Sequence, residues 1–278
     1  MLTIDPKSEK TDLVHKYILG AVAPRPIAFA STINNEGNLN LSPFSFFNAF
    51  SANPPVLIFS PARRVRGNTI KHTLENIIET NEVVIGIVTA EMAQQASLSS
   101  CDFDKGVNEF EKAGFTPVKA DLTKPFLIKE SPVNFECKVN EVIALGEEGG
   151  AGNLVICEVL KIHIKETILD AKQNIDPLKL NALSRLGGNW YGRATKDNLF
   201  ELEKPIGKTA MGFDNLPNGI STSSILSGSD LAILASLEEI PSKTDFLERE
   251  GKNIAEKHTL AKKYLSQGNV NDAWQVLL

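Results

Sequence analysis

The stretch NLSPFSFFNAFSANPPVLIFSP, from Asn40 to Pro61, sets five phenylalanines among short hydroxyl and amide side chains. Core strands favour unbroken apolar runs, and surface loops seldom carry so many aromatics. A wall that is apolar underneath and studded with hydrogen-bonding groups suits a flat ligand with a polar edge. Ser42, Ser45 and Asn48 are the donors and acceptors of that wall, and Phe44, Phe46, Phe47 and Phe50 its apolar backing. A second group, RGNTIKHTLENI, brings Arg66, Lys71 and Thr73 to the approach of a helix. Free N–H groups and the helix dipole favour an anion there.

Other chemistries lack their residues. There is no GxxxxGK[ST] loop and no GxGxxG following a strand, so neither a nucleoside-triphosphate loop nor a separate dinucleotide domain is expected. His15, His72, His163 and His258 show no HxH or HExxH spacing. Cys101, Cys137 and Cys157 form no CxxC pair, so neither a metal nor a disulfide framework is expected. The acidic pairs Glu147-Glu148 and Glu238-Glu239 read as solvated charges.

The chain has 278 residues, 42% hydrophobic and 23% charged, with a formal net charge of −5. That is enough to bury a full core, and no basic run points to a polyanion, so nucleic acid is not an expected partner. The segment MLTIDPKSEKTDL has no apolar core of a signal peptide, and no window approaches the roughly 18 apolar residues of a membrane span. A cytoplasmic protein without membrane contact is the expectation.

The elements that must position the wall are mostly strands. Short apolar runs occur at Ile27–Ala30, Val56–Phe59, Val83–Val88, Val133–Val142 and Leu154–Ile164. LVICEVLKIHI alternates with period two; in NFECKVNEV the alternation is kept by Phe135, Cys137 and Val139, while Val142 falls out of phase. Strands without regular intervening helices favour an antiparallel sheet closing into a barrel. Helical patterns interrupt at Lys71–Thr80, from Thr89 to Ser97, and at Asn108–Lys112. After Pro205 strand character ends. Helices are expected from Ser229 or Asp230 to Pro241, from Ile254 to Leu265, and from Val270 to Leu278 across a Gly268-Asn269 turn.

In order along the chain, GAVAPRPIAFAST, NLSPFSFFNAFSANPPVLIFS, KHTLENIIETNEVVIGIV, FEKAGFTP, ESPVNFECKV and RLGGNWY resemble the flavin reductase-like, FMN-binding split-barrel family. The resemblance covers roughly residues 10–200. It implies a mainly β fold, a six-stranded antiparallel split β-barrel with flanking helices, over residues 1–204. Residues 205–278 are then a helical C-terminal extension, expected to dock on the barrel. It further implies a homodimer with FMN at the interface, and hydride transfer through the flavin with NADH or NADPH as reductant and a small-molecule substrate as acceptor.

The cofactor-binding residues carried over are Ser31, Thr32, Ser42, Pro43, Ser45, Phe46, Phe47, Asn48, Ser60, Lys71 and Thr73, the last two for the phosphate with Ser60 a similar candidate. His72 departs from the aspartate that many relatives carry between that lysine and threonine. Arg25, locked between Pro24 and Pro26, reads either as a site residue or as a structural ion pair. In RLGGNWYGR the glycines permit close backbone approach, and Trp190 or Tyr191 either covers the ring or pins a turn. The alternatives to a flavin oxidoreductase are a non-catalytic FMN-binding interaction protein and a pyridoxamine-phosphate oxidase-like enzyme, whose arginine-rich signature is not evident.

Overall fold

The structure, a computed structural model, describes residues 1–244 and 252–278, which divide into a unit of Met1–Phe200 and a unit of Glu201–Leu278. In the first unit, helix α1 (Thr11–Ala21) precedes β1 (Ala28–Ile33), β2 (Leu39–Phe44), β3 (Phe47–Ala52) and β4 (Pro55–Phe59). Helix α2 (His72–Thr80), β5 (Glu82–Ile87), and the short helices α3 (Ala93–Leu98) and α4 (Glu109–Ala113) follow. The two-residue strands β6 (Pro117–Val118) and β7 (Leu127–Ile128) pair with each other ahead of the long strands β8 (Val133–Ala144) and β9 (Asn153–Ile164). Helix α5 (Pro177–Leu180) and the ribbon of β10 (Ser184–Arg185) and β11 (Tyr191–Gly192) complete the unit.

The main sheet is antiparallel throughout, in the order β2-β1-β5-β8-β9-β4-β3. It has seven strands, not the six expected, and β2 and β3 are its two edges rather than a closed seam. The reason lies in the aromatic stretch itself. Ser45-Phe46 breaks it after Phe44, so one short run of chain supplies both edges of the sheet. The out-of-phase Val142 also has a local cause. The β8–β9 register shifts between Val139 and Glu141, and that bulge resets the alternation so that Val142 still packs on the core.

Two apolar cores cover the faces of the sheet. On one, Ala28, Ala30, Phe44, Leu57, Phe59, Val83, Ile85 and Cys157 pack under Leu74 and Ile77 of α2. On the other, Phe29, Leu41 and Ile128 pack against Met92, just before α3, and against Ala96 and Phe110 of the short helices. Alternate residues of β1 therefore serve different cores, as period two demands. Helix α1 was not expected, although Val14, Tyr17, Ile18 and Ala21 share one side of it at helical spacing; none of its residues is buried. Asn108 caps α4 by accepting from Phe110 N–H at 3.1 Å, and Gly114 ends it at φ +70°.

In the second unit, α6 (Asn218–Ser221), α7 (Gly228–Ala235), α8 (Ile254–Ser266) and α9 (Val270–Leu277) surround Trp274. The first cap is Ser227, not Ser229, because Ser227 and Asp230 form a reciprocal capping box. Leu231, Leu234, Ala235, Ala273 and Trp274 bury against one another, and Trp274 Nε1 donates to the Leu234 carbonyl at 3.2 Å. The apolar residues of this segment thus build a core of their own. Among the described residues, no helix is long and apolar enough to cross a membrane.

Candidate functional site

The aromatic stretch divides between a core and two clefts. Phe44 turns into the sheet's core against Phe59, with ring centroids 5.4 Å apart. Beyond the break, Ser45, Phe46, Phe47, Asn48 and Phe50 line a cleft of about 300 Å³ together with Ser60 and Arg25. Ser60 is buried, donates its main-chain N–H to the Phe46 carbonyl at 2.9 Å, and so fixes the bend that opens the wall. Phe50 stays 63% exposed on the edge strand, and Asn48 is exposed beside it.

A narrower cleft, about 20 Å³, lies at the start of α2 and is lined by Asn40, Ser42, Arg64, Lys71, His72, Thr73 and the loop Ser99–Phe103. Lys71 is the N-cap residue of α2 and lines this cleft, at the helix end whose first-turn N–H groups are free. The second cation here is Arg64. Arg66, expected from the sequence, is exposed and lines neither cleft. Arg64 reaches back to the Ile70 carbonyl at 2.5 Å, a contact that follows from the tight turn between them. Burial and the cations Arg64, Lys105 and Lys71 lower the His72 pKa against the pull of Glu75, which favours a neutral imidazole.

Behind this cleft runs a buried polar network. Thr73 Oγ1 donates to Asn40 Oδ1 at 2.6 Å, Asn76 Nδ2 donates to Thr32 Oγ1 at 3.1 Å, and Thr32 Oγ1 lies 3.3 Å from Asn40 Oδ1. Asn40 Nδ2 and the Leu41 N–H both donate to the Glu109 carboxylate, at 2.9 and 3.0 Å. Glu109 thereby satisfies the open edge of β2, and burial pushes its pKa up. Ser42 faces the narrow cleft, Pro43 lies in β2 beside it, and Ser45, Phe46, Phe47, Asn48 and Ser60 face the wide one. Ser31 and Thr32 are fully buried and line neither; the Ser31 hydroxyl has no hydrogen-bond partner among the described residues.

The PRP and RLGG motifs meet. Arg25 and Arg185 exchange both main-chain hydrogen bonds, at 2.9 and 2.8 Å. The Arg25 guanidinium donates to the carbonyls of Leu19, Val22 and Leu186, closing the end of α1 against the ribbon. It pairs with carbonyls, not with the carboxylate that a structural ion pair would need. A Cβ on Gly187 would stand 2.8 Å from Gly20 Cα, so this glycine is required by close approach. Trp190 is 76% exposed rather than a core residue, and Tyr191 stacks under Arg185 at 4.5 Å.

One cluster was not legible from spacing. Glu136, His163 and Asp121 gather on the β8–β9 pair, with His163 Nε2 2.7 Å from Glu136 Oε1. The N–H groups of Asp121, Leu122 and Thr123 also point at the Glu136 carboxylate, at 3.1, 2.6 and 2.9 Å. With both oxygens so engaged, the group pins the loop before β7 to the sheet.

Comparison with known proteins matches this architecture. The model of the flavin reductase like domain matches residues 20–179. A protein of Aquifex aeolicus is 39% identical over 68% of this chain and 93% of its own. The crystal structure of nitrilotriacetate monooxygenase component B from Bacillus cereus is 31% identical, covers 73% of this chain and 98% of its own, and superposes with a TM-score of 0.68. That of 2-nitrobenzoate 2-nitroreductase NbaA from Pseudomonas fluorescens is 27% identical over 76% of this chain and 100% of its own, with a TM-score of 0.66. On its fold, its motifs and these matches, the chain belongs to the flavin reductase-like domain family.

Proposed function

We propose that residues 1–200 bind FMN and act as an oxidoreductase, taking hydride from NADH or NADPH and reducing a small-molecule acceptor. The observation that carries this reading is the pairing of two unlike sites on one stretch of chain: a flat aromatic cleft, and a cationic helix start. FMN has those same two unlike ends, a planar ring and a phosphate dianion. Phe46, Phe47 and Phe50 offer the ring its faces, and Ser45 and Asn48 its polar edge. Ser42, on the lining of the narrow cleft, would serve the ribityl hydroxyls.

For the phosphate, Lys71 and Arg64 supply charge and the first turn of α2 supplies N–H groups. The Thr73 hydroxyl already donates to Asn40, so Thr73 serves through its main-chain N–H. A carboxylate oxygen, that of Asp102, already stands between the two cations, which supports an anion there. A bound flavin supplies the hydride chemistry at its own ring; the protein's part is to bind, orient and exclude water. The names of the two similar structures, a monooxygenase component and a nitroreductase, support a small organic acceptor. Exposed Phe50, Trp190 and Tyr191 support a homodimer that completes the site.

The test is direct. Purified protein should carry flavin absorption bands, release FMN on denaturation, and bleach within seconds on anaerobic addition of NADH or NADPH. Absence of flavin affinity after reconstitution would refute the reading. Binding without bleaching would leave a non-catalytic FMN protein.

A further inference from the structure

Arg25 lines the aromatic cleft and is only 5% exposed. Its Nη groups donate to neutral carbonyls, its Nε has no hydrogen-bond partner, and among the described residues no carboxylate forms an ion pair with it or with Arg185. The charge that acts on it is a second cation, Arg185. Burial, and then the Arg185 charge, lower the Arg25 pKa. A buried guanidinium without a counter-ion is costly. The carbonyls at the end of α1 compensate part of that cost. The remainder is felt in the cleft, which Arg25 lines together with Phe46, Phe47 and Phe50 and the small polar side chains of Ser45, Asn48 and Ser60.

We propose that Arg25 sets the redox poise of the site, making the cleft hold FMN more tightly in its reduced, more negatively charged state and so raising its reduction potential. This rests on the FMN reading above and assigns a task to a residue outside the wall and the phosphate seat. Uptake of two electrons and one proton leaves the ring with one more negative charge. Both electrons and the proton arrive together as hydride from the nicotinamide reductant. Arg25 stays protonated throughout and gives up nothing; it acts by charge alone. Such a fixed charge needs no reorganisation as the ring's charge develops.

The experiment is an anaerobic dithionite titration against a reference dye, with FMN-loaded wild type, Arg25→Gln and Arg25→Lys. Arg25→Gln is expected to lose about tenfold in its preference for reduced over oxidised FMN, which for a two-electron couple is about 30 mV of midpoint potential. Arg25→Lys keeps the charge and should stay close to wild type. An unchanged potential in Arg25→Gln, or an equal fall in Arg25→Lys, overturns the proposal while leaving FMN binding intact. Should Arg25→Gln fail to fold, wild type decides: bound FMN must sit at a higher potential than free FMN in the same buffer, and a lower or equal value overturns the proposal. Failure of wild type to bind FMN at all would remove the FMN reading itself.

Discussion

The Asp102 carboxylate stands 3.6 Å from Lys71 Nζ, and the same Oδ1 is 3.6 Å from Arg64 Nε. Asp102 itself is 80% exposed on the loop after α3, so this is a weak surface contact that an anion of higher charge can displace. The narrow cleft, at about 20 Å³, holds about one water's worth of space with the loop in this position. On the proposed reading, a phosphate entering here has to push Asp102 aside, so the Lys71–Asp102 pair would compete with the cofactor.

Replacing Asp102 by Asn should tighten FMN about twofold to fivefold, the range expected on removing surface ion pairs of roughly 0.5–1 kcal/mol. Riboflavin, which has no phosphate, should bind unchanged. Fluorescence titration of both ligands measures the difference. Weaker FMN binding in this variant would show that Asp102 supports the seat instead of competing for it.

Lys71→Ala removes a charge-assisted contact of roughly 1.5–3 kcal/mol, or about tenfold to a hundredfold in FMN affinity. Riboflavin again serves as the control. Equal losses for the two ligands would make Lys71 a structural residue of the α2 start.

Gly187→Ala should act through packing. The added methyl meets Gly20 Cα at 2.8 Å, backbone against backbone, and neither can swing away. An overpacking cost of about 1–3 kcal/mol is expected, together with separation of the α1 end from the ribbon that Arg25 closes. Denaturant unfolding gives the stability loss. A variant as stable as wild type would mean that the two segments can move apart freely.

Glu136 makes the fold acid-sensitive. Burial pushes its pKa up, but His163 and the N–H groups of Leu122, Asp121 and Thr123 outweigh that and hold it at about 2. Because the folded value lies below the ordinary carboxylate range, its contribution is complete above about pH 5 and is lost as the pH falls toward the folded value. That contribution is worth roughly 3 kcal/mol. Melting temperature should fall across this window, and Glu136→Gln, less stable at neutral pH, should fall less steeply. Parallel curves for the two proteins would assign the acid sensitivity elsewhere.

Ending the chain after Phe200 should leave FMN affinity and the riboflavin contrast intact. Every residue of both clefts lies within the first 200, and the segment beyond buries its own apolar groups around Trp274. A large loss of FMN affinity on truncation, in a protein that still folds, would show that the helical unit takes part in the site.

What the sequence determined by itself follows from local physics. Period-two alternation marked the long strands, since a half-buried strand must alternate whatever lies around it. The mixture of phenylalanines with Ser45 and Asn48 marked the wall, because neither a core nor a loop has use for both. Lys71 before an amphipathic run marked the start of α2, where helix geometry leaves N–H groups free. Tertiary structure decided the rest. Phe44 and Phe46 look alike in sequence, yet a break at Ser45 sends one into the core and the other to the cleft. Arg64 replaced Arg66 because the turn before α2 aims one side chain inward and the other into water. The Thr73 hydroxyl was taken by Asn40, a partner from another element, and no local pattern records such a choice. Seven strands stood where six were expected because pairing between distant segments, not propensity, sets the edges of a sheet. Arg25 and Arg185 came together for the same reason: main-chain pairing across the fold placed two arginines opposite each other, and among the described residues no carboxylate pairs with either.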